Sequence, residues 1–438
     1  MMTSRESQPP EAYVWAWLPN ATQPVVAGRL VPVEEEICFI YGRSYRENPD
    51  AIPLYLPELP LGSDLIRPMH GLAMPSAIRD ASPDAWGRRV ILNRASGHKG
   101  DALDELELDE LTFLLESGSD RVGALDFQTS PTQYKARGGA HASLGELLAS
   151  AERVERNLPL SVELDQALHH GSSIGGARPK ALIDDGPRKY IAKFSSSGDI
   201  YSVVKGEYIA MRLADLAGLN VPSVWLVQAS GKDVLLVERF DRVNVAGTWR
   251  RRAMVSALTM LELDEMQARY ASYQDLAEIV RIRFTRVSET LRELFARISF
   301  NILVGNLDDH ARNHAAFWDG ASLSLTPAYD VCPQPRSGQE ASQAMLISDQ
   351  NRASQIAGCI DAAPHFHLDR NQAIGIVADQ VKVIGENWRA LCAEADLGEV
   401  DRSLFWGRQF LNPYAFYGLE GAAAAIAEQA TMYRVENG

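Results

Sequence analysis

No stretch of the chain approaches the roughly 18 consecutive apolar residues that a transmembrane helix needs, so no membrane span is expected. The N-terminal segment from Met1 to Pro10 has no apolar core of the kind a secretory signal carries, which points to a cytoplasmic protein. Cysteine is scarce: Cys38, Cys332, Cys359 and Cys392 are scattered without C-x-x-C spacing, which excludes a zinc-ribbon or disulfide-framework reading. Basic residues are outnumbered, 43 against 57 acidic, and the resulting charge of −14 argues against a large autonomous nucleic-acid surface. Internal repeats and long low-complexity tracts are absent too. What remains is a chain of 438 residues, 46% apolar, long enough for two or three domains with sizeable cores.

The densest chemical signal is Leu303-Val-Gly-Asn-Leu-Asp-Asp-His-Ala-Arg-Asn313, followed by Leu325-Thr-Pro-Ala-Tyr-Asp330. Asp308, Asn313 and Asp330 have the order and spacing that phosphoryl transfer from Mg-ATP requires: one carboxylate orients the attacking hydroxyl, while an amide and a second carboxylate hold the metal. Asp and Asn are also ordinary turn residues, so the context matters. Val287, Leu291, Leu294, Ile298 and Ile302 form the stripe of an amphipathic helix, widened by Phe295 and ended by Gly305. The polar cluster is therefore expected in a loop fixed by a core helix, a common place for catalytic groups.

Upstream, Gly171-Ser-Ser-Ile-Gly-Gly-Ala-Arg-Pro-Lys180 is a small-residue loop whose backbone N–H groups could approach phosphate oxygens closely. It matches neither the Walker pattern nor G-x-G-x-x-G, and a plain flexible connector is its competing reading. After the turn signal Asp184-Asp-Gly186 comes a short strand, Lys189-Tyr-Ile-Ala-Lys-Phe194. Lys193 and Ile191 share one face of it, a face expected to be buried, where a lysine needs an anionic partner. The helix-like run from Val204 to Gly218 places Glu207 on its first turns, and a strand lysine paired with a helix glutamate is how kinases grip ATP phosphates.

Taken together, these segments resemble the HipA-type serine/threonine kinase toxins of type II toxin–antitoxin systems. The resemblance is carried by Ser173-Ile-Gly-Gly-Ala-Arg-Pro-Lys180, Tyr190-Ile-Ala-Lys193, Gly218-Leu-Asn-Val-Pro222, Val237-Glu-Arg-Phe-Asp-Arg242, Gly305 to Asn313 and Pro327-Ala-Tyr-Asp330. It extends upstream to Pro83-Asp-Ala-Trp-Gly-Arg88 and Gly118 to Phe127, and so covers nearly the whole chain. The resemblance implies an α+β, kinase-like two-lobed fold, with a mixed N-lobe, a mainly helical C-lobe and an N-terminal α+β subdomain. It makes Asp308 the catalytic base and Asn313 and Asp330 the Mg²⁺ ligands. The ATP-binding set it implies is Gly175, Gly176, Ala177, Arg178, Pro179, Lys180, Lys193, Glu207, His310, Ala311, Arg312, Asn313, Tyr329 and Asp330. Ser173 matches the family's autophosphorylated loop serine, and about two added negative charges there would repel a triphosphate. The implied partners are a HipB-type helix-turn-helix antitoxin, through which DNA is reached, and a protein substrate such as an aminoacyl-tRNA synthetase, the glutamyl enzyme first.

Two departures from the family pattern stand out. Arg251-Arg-Ala-Met-Val-Ser-Ala-Leu258 replaces an acidic segment found in some members, and Val255 and Ala257 are expected to meet adenine through backbone atoms. Asp309 stands where some members have glycine, which raises the question of which carboxylate is the base; the spacing to Asn313 favours Asp308. The basic clusters Trp249-Arg-Arg-Arg252 and Arg281, Arg283, Arg286 read as a solvated face or a phosphate-side patch rather than a DNA contact. The chain divides at about 130 and 258 into a small α+β subdomain, a linker with the kinase N-lobe, and a helical C-lobe from 259 to 438. Two other classes stay open: a small-molecule phosphotransferase, and a catalytically silent corepressor module.

Overall fold

The computed structural model describes residues 11–97, 108–138, 142–156, 158, 160, 176, 178–196, 198–336, 338 and 340–438. Ser173, Gly175 and Ala177 lie outside the described residues. The fold is α+β. The chain compacts into two units rather than three contiguous stretches: Met1–Lys189 with Asp241–Val255 and Trp318–Ala321, and Tyr190–Phe240 with Ser256–Phe317 and Ser322–Gly438.

The first unit is built on an antiparallel sheet in the order β3-β2-β1-β4, formed by β1 (Ala12–Ala16), β2 (Val25–Val33), β3 (Glu36–Tyr41) and β4 (Leu125–Gln128). Aromatic and β-branched residues fill these strands, and Val14, Phe39 and Phe127 are completely buried. A helix spans Ala85–Gly97, its Trp86 is a core residue, and a further strand, β5, covers Lys180–Asp184.

Two motif segments of the sequence meet in this unit. Arg242 donates to Asp120 Oδ1 at 2.8 Å and to the Gly123 carbonyl at 2.9 Å, while Asp241 accepts from the Gly123 amide at 2.9 Å. Beside them the buried Arg121 donates to Asp126 at 2.9 Å, and Arg137 reaches the same carboxylate at 3.0 Å. A buried charge persists only when paired and hydrogen-bonded, so these arginines and aspartates act here as structural ties. The basic run at 249–252 is no solvated face at Arg251, whose guanidinium stacks 3.5 Å above the Trp17 ring and donates to Ser119 O at 2.9 Å.

In the second unit β6 (Lys189–Phe194), β8 (Lys232–Glu238) and β7 (Val224–Ala229) pair antiparallel in that spatial order. Helices Val203–Leu216, Tyr273–Arg283, Val287–Val304, Arg370–Glu394 and Ala424–Asn437 supply most of the rest. The apolar stripe from Leu291 to Ile302 is buried as its spacing requires. The alanine-rich C-terminal stretch is helical, starting at Ala424 after a short 3₁₀ turn. Among the described residues no helix is long and apolar enough to cross a membrane.

Gly305 closes the Val287–Val304 helix in the left-handed conformation, φ 71° and ψ 28°. A Cβ at this position would lie 2.8 Å from the Gln409 carbonyl oxygen. Gly305→Ala therefore meets both a left-handed backbone and a rigid obstacle, and should lower unfolding free energy by about 2 kcal/mol or more. Urea denaturation checks this; a midpoint equal to wild type would show that the helix end can rearrange freely.

Candidate active site

The site in the second unit is assembled from β6, the Val203–Leu216 helix and two loops. Along β6 the residues Tyr190, Ala192 and Phe194 are buried, whereas Ile191 and Lys193 are half-buried. This corrects the expectation that the Lys193 face is the core face: the strand alternates as predicted, but with the lysine side turned toward the site. Lys193 Nζ lies 2.5 Å from Glu207 Oε1 and bonds Asp330 Oδ1 as well. Desolvation works against its charge, yet Asp330 and Glu207 outweigh it and raise the ammonium above the ordinary lysine value. Glu207 is itself only 3% exposed. The helix carrying it is pressed close at Gly206, where a Cβ would stand 2.7 Å from the Phe405 ring.

The loop after Gly305 holds Asp308 to Asn313. Asp308 is exposed and Asp309 is 2% exposed, so consecutive carboxylates face opposite environments. Asp309 accepts from the Tyr273 hydroxyl, and His314 Nε2 lies 2.9 Å from its Oδ1. Burial pushes the Asp309 carboxyl up, but His314 and the bonds from His314, Tyr273 and Asn301 hold it below the ordinary aspartate value. Asp308 is raised: partial desolvation lifts it, His310 opposes, and the charges of Asp330 and Asp309 add to the lift. Of the two adjacent carboxylates, Asp308 is the one open to solvent.

Asn313 is buried and donates its Nδ2 to the Asp308 carbonyl at 3.1 Å, and its N–H donates to His310 O at 2.8 Å. Asp330 adopts a left-handed backbone, φ 60°, a conformation aspartate tolerates better than most residues and one that concentrates at functional sites. The Asn306 amide donates to the Asp330 carbonyl at 3.4 Å. The Tyr329 hydroxyl donates to Arg312 O at 2.6 Å, and Arg312 pairs with Glu265 at 3.2 Å. Among the described residues no three His, Cys, Asp or Glu side chains could hold a metal together. One amide and one carboxylate suit Mg²⁺, which commonly takes one or two protein ligands plus phosphate oxygens and waters, so Asn313 and Asp330 fit that ion.

The remaining candidates fall elsewhere. Gly176, Arg178, Pro179 and Lys180 belong to the first unit, as does Val255. There Gly176 has φ 114°, and a Cβ on it would collide with Lys180 Nζ. Trp86 donates its amide N–H to Gly176 O at 3.2 Å and its indole N–H to Lys180 O at 3.1 Å. Ala257 lies in the second unit, but its N–H is given to His314 O at 2.7 Å. That backbone donor is therefore already used inside the protein. The sequence reading did not single out Asn306, Tyr273 or His314; for Asn306 the clue was its place directly after the helix-ending glycine.

A family model described as the HipA-like C-terminal domain matches residues 172–388, and one described as the HipA N-terminal domain matches residues 21–128. The chain belongs to the HipA family. The serine/threonine-protein kinase toxin HipA of Shewanella oneidensis is 29% identical over 178 residues, 37% of this chain and 40% of that protein. In that alignment the chain thus spans less than half the relative's own length. The solved complex of Shewanella oneidensis HipA with HipB and its operator DNA contains a chain that superposes with a TM-score of 0.65. The match covers 94% of this chain and 95% of that one at 19% identity, and shows a shared HipA fold.

Lys193→Met in this HipA-family chain leaves Glu207 buried beside an apolar stem. Removing one partner of such a pair typically costs about 3–5 kcal/mol. The Lys193 side chain keeps 13% of its surface exposed, which puts the expected loss near the lower end, read as a fall in thermal midpoint. A variant as stable as wild type would mean that the ion pair contributes no net stability.

Proposed function

We propose that this protein is an ATP-dependent serine/threonine protein kinase acting as the toxin of a toxin–antitoxin system. The observation that carries the reading is the Lys193 ammonium held between Glu207 and Asp330, in the same unit as the exposed Asp308. In this reading Asp308 accepts the proton of a serine hydroxyl as it attacks, and its raised pKa suits a general base. Lys193 grips the nucleotide phosphates, and Glu207 keeps the ammonium in place. Asn313 and Asp330 hold Mg²⁺, which when bound neutralises charge on the phosphates. By the family resemblance Gly175 to Lys180 also belong to the ATP-binding set, and in the second unit His310 to Asn313 with Tyr329 complete the nucleotide side.

The substrate class we assign is a translation component such as an aminoacyl-tRNA synthetase, the glutamyl enzyme first. A HipB-type antitoxin restrains the kinase and brings it to DNA; the Shewanella oneidensis complex, with HipA, HipB and operator DNA together, supports that partnership. The charge of −14 suits association with a basic partner, mainly by speeding encounter.

Purified protein with Mg-ATP should place phosphate on serine, and Asp308→Asn should reduce incorporation by about 10²- to 10⁴-fold, the usual contribution of a general base, while circular dichroism stays unchanged. Full incorporation by that variant would remove Asp308 from the mechanism. Mass spectrometry of active protein should also find phosphate on Ser173, absent from the Asp308→Asn protein. The phosphorylated form should bind ATP weakly because its loop now repels anions; equal ATP affinity of the two forms would rule out silencing by this route.

A further inference from the structure

The loop that carries Asp308 and Asn313 is held from beneath at both ends. Asp309 follows the base, and His314 follows the metal-binding amide. Both are 2% exposed, and Tyr273 is 1% exposed. His314 Nε2 lies 2.9 Å from Asp309 Oδ1 and 3.0 Å from the Tyr273 hydroxyl oxygen, and that hydroxyl donates to Asp309 Oδ2. A carboxylate and a hydroxyl whose hydrogen is already committed both accept from the imidazole, so the network assigns the proton to Nε2.

We propose that Asp309, His314 and Tyr273 form a buried staple whose task is to fix the separation of the Asp308 carboxyl and the Asn313 amide. The proposal rests on the kinase reading and names three positioning residues for it. Each staple residue in the loop is the covalent neighbour of a functional one, so closing the bond from 309 to 314 brings 308 and 313 into register. The Asn313 side chain bonding the Asp308 carbonyl fits a loop closed in this way. The staple is anchored on both sides. Tyr273 opens the Tyr273–Arg283 helix, which is capped by Ser272, and its amide bonds Leu346 O at 2.9 Å. The His314 carbonyl accepts from the Ala257 amide at 2.7 Å. None of the three side chains needs to meet substrate or nucleotide to do this, as with the outer partners that orient ligands at metal sites.

The test compares His314→Ala, Asp309→Asn and His314→Gln, the last placing an amide N–H where the imidazole Nε2–H stood. Hydrogen exchange of residues 308–314 is read by mass spectrometry without nucleotide. The Ala and Asn variants should lose protection there by about tenfold, with other helices unchanged, and His314→Gln should stay within about threefold of wild type. Half-saturating Mg²⁺ for ATP turnover should rise about 10- to 100-fold in the first two variants, and kcat at saturating Mg²⁺ should fall less. His314→Ala with wild-type exchange and wild-type Mg²⁺ dependence overturns the proposal, as does His314→Gln behaving like His314→Ala. If His314→Ala does not fold, Tyr273→Phe, which removes one oxygen, carries both readouts. A wild-type protein that turns over no ATP would refute the kinase reading, and the exchange experiment would then decide the staple by itself.

Discussion

The arrangement of the second unit depends on where one positive charge can rest. Lys193 projects from a strand whose other face is core, and its ammonium is kept charged by Glu207 from a helix and Asp330 from a loop. A strand, the helix that follows it and a loop 137 positions on are therefore fixed relative to one another by a single group. A low-dielectric surround makes such an arrangement costly when incomplete and orienting when complete. The close approach of Gly206 to Phe405 keeps the helix near enough for Glu207 to reach.

Much of this was legible in the sequence because it follows from short-range rules. The stripe from Leu291 to Ile302 and the glycine that ends it define a helix and the start of a loop, and the structure has both. The strands near Val14, Val25 and Phe39 follow from β-branched and aromatic residues. Which face of β6 is buried was not legible: period two fixes alternation, but only tertiary packing chooses the side. The use of the Ala257 amide by His314 was equally hidden, since nothing local in either segment signals a bond across 57 positions. The membership of 241–255 and 318–321 in the first unit was also hidden, because it comes from contacts remote in sequence.

Adjacent acidic residues present a problem that sequence alone leaves open, and solvation resolves it here. Asp308 and Asp309 differ by one position, yet one is exposed with a raised pKa and the other is buried with a lowered one. The backbone turns tightly at the doublet, the His310 N–H donating to Asp308 O at 2.9 Å, and leaves one carboxylate outward and one inward. The inward one is affordable only because Tyr273, His314 and Asn301 serve it. The arginine–aspartate motifs of the first unit show the same logic: strong sequence signals there mark bonded, buried charge, with Arg242 linking Asp120, Gly123 and Asp241.

The close packing around Gly206 and Gly305 sets a lower limit on the length of any working fragment. The stretch matched by the HipA-like C-terminal domain stops at 388, but the groups that brace these elements lie beyond it. Phe405 backs Gly206, Gln409 backs Gly305, the Leu411 amide donates to Leu303 O at 2.7 Å, and Lys205 donates to Asp396 O at 2.6 Å. A chain cut at the matched boundary keeps Lys193, Asp308, Asn313 and Asp330 but loses the surface against which their helices are seated. The candidate site residues and the residues that seat their helices therefore end at different points, and the second set reaches at least to 411.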